Sequence, residues 1–66
     1  MNAMYTMFDN YMNGNHSDAR KLAKRFTVTR IRSELIDAYG YSFKKAQLTA
    51  EYLKTGEGYQ AACDAE

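Results

Sequence analysis

The chain has 66 residues and a formal net charge of +1, with one cysteine, one histidine and no proline. A chain this short is a single domain, and it buries too little surface to be stable without an efficient core, a partner or a second copy. Cys63 alone excludes an internal disulfide, and Cys63 with His16 leaves too few soft ligands for a structural zinc site.

Apolar residues recur at helical spacing along most of the chain. Met1, Met4, Tyr5, Phe8, Tyr11 and Met12 step by three and four and predict a first helix over about 3–12. Asn13-Gly14-Asn15 breaks it. Ser17 is placed to cap a second helix, 18–26, whose apolar stripe is Ala19, Leu22, Ala23 and Phe26. Thr27 is placed to cap a third, 28–39, with Val28, Ile31, Leu35, Ile36 and Tyr39 on one side. Gly40 then stands where a left-handed cap is wanted. Ser42 is placed to cap a fourth helix, 43–55. Phe43, Ala46, Ala50 and Leu53 form one apolar line on it, and Leu48 with Tyr52 forms a second, so it belongs at the centre of a bundle. Thr55-Gly56-Glu57-Gly58 stops it, and Tyr59 to Ala65 makes a short last helix.

The fold class is therefore all-α, a compact bundle of four to five short helices forming one helical domain over 1–66. Its expected core is Leu22, Phe26, Ile31, Leu35, Phe43, Ala46, Ala50 and Leu53. No apolar run reaches the roughly 18 residues of a membrane span, and the start lacks a basic leader. A lone thiol suits a reducing compartment, so the expected location is cytoplasmic.

Charge is segregated along the chain. RKLAKRFTVTRIR, residues 20–32, holds six basic side chains and no acid, whereas residues 33–66 hold three basic against six acidic ones. At about 100° per residue, Arg20, Lys21, Lys24 and Arg25 share the arc opposite the apolar stripe of their helix. Arg20 with Lys24, and Lys21 with Arg25, are like-charge pairs four apart, each costing about 0.2–0.5 kcal/mol. Glu34 can relieve Arg30 on the next helix, and Arg32 lies at the edge of an apolar face. Such a run is either a solvated face or a docking surface for something anionic. The candidate contact residues are Arg20, Lys21, Lys24, Arg25, Arg32, Tyr41, Lys44 and Lys45. Six tyrosines exceed what so small a core can bury, and tyrosine suits both a bundle edge and an interface.

Nothing points to catalysis. His16, Ser17 and Asp18 are adjacent, and three consecutive side chains point apart rather than converge. Met4, Met7 and Met12 at helical spacing with Tyr5 and Phe8 suit a core better than a soft-metal site. Cys63 has no neighbouring base and reads as a small buried side chain. The expectation is no enzyme and no cofactor.

Three resemblances add to this reading. SELIDAYGYSFKKAQLTAEYL resembles a helix-turn-helix, with Gly40 as the turn glycine and 42–54 as the recognition helix. Ile36 departs from the small residue usual there, and Ala46 and Thr49 replace aliphatics. That resemblance implies a DNA-binding protein acting as a homodimer. AYGYSFKKAQLTAEYLKTGEGYQAACDA resembles ubiquitin-associated-type three-helix bundles, through Gly40-Tyr41, Ala46, Gly56 and Ala62. YMNGNHSDARKLAKRF and YLKTGEGYQAACDAE resemble small accessory proteins of phages and plasmids, including anti-CRISPR inhibitors. That implies a non-catalytic protein in a host cytoplasm that binds a nucleic-acid-handling protein or ribonucleoprotein complex. Many such inhibitors are acidic mimics of nucleic acid; this chain is not, so it would plug an acidic or apolar surface instead.

Overall fold

The computed structural model describes residues 2–66, which contain five helices and no strand. They are α1 (Ala3–Met12), α2 (His16–Ala23), α3 (Val28–Tyr39), α4 (Phe43–Thr55) and α5 (Tyr59–Asp64). The all-α bundle expected from periodicity is the fold. Met1, which opens the predicted stripe of α1, lies outside the described residues.

Local signals set most of the boundaries. Asn2 caps α1 by accepting a hydrogen bond from the Met4 N–H at 2.8 Å. The Thr27 hydroxyl accepts from the Arg30 N–H, and the Ser42 hydroxyl from the Lys45 N–H, each at 3.1 Å. Gly40 adopts φ 70°, a left-handed conformation with little cost to glycine alone, and ends α3.

The second helix differs from its predicted span. It starts at His16, with Asn15 in the capping position and Ser17 inside the first turn, so Ser17 is not the cap. It ends at Ala23 rather than at Phe26. Two tighter bonds close its end, from the Arg25 N–H to Leu22 O and from the Phe26 N–H to Ala23 O. Lys54 fixes this end from outside, its Nζ donating to Ala23 O at 3.2 Å and to Phe26 O at 2.7 Å. That tertiary partner, 28 and 31 residues away in sequence, is why local periodicity overran the boundary.

Helix α4 is central, as its two apolar lines imply: α2, α3 and α5 all pack on it, while α1 packs on α2. The core joins Met4, Met7 and Phe8 of α1, Ala19 and Ala23 of α2, Ile31 and Leu35 of α3, and Ala46, Ala50, Tyr52 and Leu53 of α4. Thr49 of α4 and Ala62 of α5 are also buried.

Three core expectations change. Leu22 and Phe26 lie at the rim, packed against the cluster but only partly buried, because Ala19 and Ala23 face inward and suit the close approach of α1. Phe43 is 62 % exposed. It is the first residue of α4, and its ring lies under the Arg32 guanidinium at 4.7 Å rather than in the core. Cys63 is exposed, because Ala62 takes the inward position on the short α5.

Candidate functional site

The basic side chains of residues 20–32 divide into those the fold employs and those it leaves in solvent. Arg30 lies over the Phe26 ring at 5.7 Å, and Arg32 donates to the Gln47 side chain. Glu34, expected beside Arg30, accepts the Tyr5 hydroxyl hydrogen bond and so ties α1 to α3. That carboxylate pushes the Tyr5 pKa upward, because an ionised phenol could no longer donate to it. Lys21, Lys24 and Arg25 stay exposed.

Arg20 is half-buried, and its guanidinium occupies the space that a side chain on Gly56, just past the end of α4, would take. Its Nε is buried and has no hydrogen-bond partner within the protein. Arg20, Lys21 and Lys24 line one groove of about 380 Å³ together with His16, Ser17 and Tyr52. Arg25 follows the end of α2 and is not among the residues lining the groove.

Of the other candidate contacts, Lys45 and Tyr41 are employed elsewhere. Lys45 reaches the C-terminal end of α5, its Nζ donating to Ala62 O at 3.2 Å and to Cys63 O and Ala65 O at 3.4 Å. A cation there satisfies carbonyls that have no partner within the helix. The same ammonium lies 5.5 Å from the Tyr41 ring centroid. Tyr41 is half-buried against the core, which raises its pKa by desolvation. Lys44 is exposed.

Behind the groove stands an aromatic cluster that sequence reasoning missed. His16 stacks on Tyr11 with ring centroids 5.1 Å apart and planes 22° apart. Its Nδ1 is 2.8 Å from the Tyr52 hydroxyl, and the Tyr59 ring lies 4.8 Å from it. The four rings come from α1, α2, α4 and α5, so no local spacing could announce them. The one usable signal was a lone histidine in a chain rich in tyrosine. With Nδ1 on Tyr52, the imidazole is held in place and Nε2 is the nitrogen left for another partner.

Burial pushes the Tyr11 pKa from 10.0 to about 12. The folded value lies above the unfolded one, so this stabilisation is complete below pH 10.0 and is lost as pH rises through about 12. The denaturation midpoint is expected to fall over that interval, and Tyr11→Phe should remove part of the fall. Chemical denaturation across an alkaline pH series measures both.

No family model matches the chain, and neither a curated protein nor a solved structure matches it.

Proposed function

We propose that the chain is a non-catalytic binding protein that docks an acidic protein surface through Arg20, Lys21, Lys24 and Arg25. The observation that carries this reading is the exposure of Lys21, Lys24 and Arg25 on and just after α2, while Lys45, Lys54 and Arg32 are hydrogen-bonded to other parts of the chain. A partner of opposite charge would explain cations that the fold does not use. Consistent with the resemblance to mobile-element inhibitors, we take the partner to be a nucleic-acid-handling complex of a host, blocked by occupation of an acidic surface.

The helix-turn-helix reading is less well supported. The helix that would enter the groove, α4, contributes five residues to the interior. Gln47 accepts from Arg32 and donates to Glu51, and Lys45 and Lys54 cap other helices, which leaves Lys44 alone for phosphate or base contacts. A domain of net charge +1 also has little long-range attraction for duplex DNA.

Lys24→Glu with Arg25→Glu tests the two readings. Both positions are exposed, so the double variant should fold. For a protein partner, it is expected to abolish one specific complex in pull-downs from the native host, and free duplex DNA should hardly bind. For DNA, the unaltered protein should instead lose affinity with salt at a slope of about −0.9 per phosphate contact. A folded variant that retains every complex would return residues 20–32 to a solvated face.

A further inference from the structure

The groove beside α2 has a composition that docking on an acidic surface does not by itself explain. Its six lining residues offer three permanent cations, the Ser17 hydroxyl, the His16 imidazole and the Tyr52 phenol, and no carboxylate. An acidic side chain brings one charge and two oxygens, fewer than these groups can engage. A phosphate monoester brings nearly two charges and three terminal oxygens. Arginine and lysine together suit it, the first by a fork of parallel N–H groups and the second as a point charge.

The size of the groove points the same way. The volume of about 380 Å³ exceeds that of a bare phosphate and leaves room for the side chain that carries it. His16 is pre-oriented by its bond to Tyr52 and its stack on Tyr11, so ordering it costs the complex little.

We propose that the groove binds a phosphate monoester carried by a phosphorylated side chain of the protein partner. This rests on the docking reading above and adds the chemistry of the contact residue. Arg20, Lys21 and Lys24 offset the dianion, and Ser17 and the His16 Nε2 serve its remaining oxygens. A nucleic-acid chain suits the groove less well, because it presents diesters of single charge spread along a strand, beyond the reach of one confined site.

The test is an NMR titration of the full chain at constant ionic strength set with chloride. The probes are inorganic phosphate, a phosphoserine peptide, the same peptide unphosphorylated, and an end-phosphorylated oligonucleotide. Saturable shifts confined to residues 16–24 and Tyr52 are expected with inorganic phosphate and with the phosphopeptide. The phosphopeptide should bind at least about tenfold tighter than its unphosphorylated form, a difference of about 1.4 kcal/mol. Lys21→Gln with Lys24→Gln, at two exposed positions, should remove that preference without loss of fold. Shifts that never saturate, that spread equally to Lys44 and Arg30, or that favour the oligonucleotide would overturn the proposal. Phosphatase treatment of the captured partner separates the two readings. A complex that survives it, yet is lost with Lys24→Glu and Arg25→Glu, keeps the docking surface and removes the phosphate site.

Discussion

Phe8→Ala is expected to remove about a third or more of the folding stability of the chain and to lower its melting temperature accordingly. Phe8 is 0 % exposed and meets Tyr39 edge to face, with centroids 5.1 Å apart and planes at 72°. Removing a buried phenyl ring costs about 3–5 kcal/mol, the transfer of the ring plus the cavity it leaves. At the usual stability per residue, a domain of this size has only about 3–10 kcal/mol in total. Phe43→Ala makes the contrast. That ring is 62 % exposed and chiefly carries the Arg32 guanidinium, so its loss should shift the melting temperature by little. Thermal melts followed by circular dichroism measure both. A Phe8→Ala protein that melts like its parent would mean that α1 is not part of the core.

Gly56→Ala is expected to have the second largest effect. Gly56 has φ 82°, where a side chain costs about 1–2 kcal/mol through the clash of Cβ with the following carbonyl. The new Cβ would also lie 2.6 Å from the Arg20 Cζ, too close for the two to coexist. The arginine head is the mobile end of a long side chain, so it yields, and the backbone term sets most of the cost. Displacing it also withdraws Arg20 from its place between the groove and the end of α4. Arg20→Ala combined with Gly56→Ala should therefore destabilise less than the sum of the two single changes. Strict additivity in denaturant melts would show that Arg20 does not rest on Gly56.

The sequence carried the elements whose ends are local. The Thr27 and Ser42 hydroxyls cap α3 and α4 as their positions imply, and Gly40 closes α3, so both helices occupy their predicted spans. Where a boundary depends on something distant, reading failed. The end of α2 is set by Lys54, and Phe26 lies at the rim because Ala23 faces the core instead. Phe43 falls on the right face by angle, but it sits at the first position of α4, beyond the neighbours that would cover it. The candidate site divides in the same manner. Exposure of Lys21 followed from helical geometry within α2, whereas Lys24 and Arg25 lie just past its end and Arg20, expected on the same arc, is half-buried. The employment of Lys45, and the gathering of His16 with three tyrosines, required contacts between helices that no spacing encodes.

Lys45 and Lys54 stand near opposite ends of α4, and each closes a different neighbour, α5 in one case and the end of α2 in the other. The consequence concerns cooperativity. Helices of six and eight residues, such as α5 and α2, cannot persist alone in water. Lys45 holds the end of α5 and Lys54 the end of α2, so both helices lose an anchor when α4 unfolds. The molecule then has little room for partly open states, and its backbone amides should exchange with solvent mainly through a single global opening.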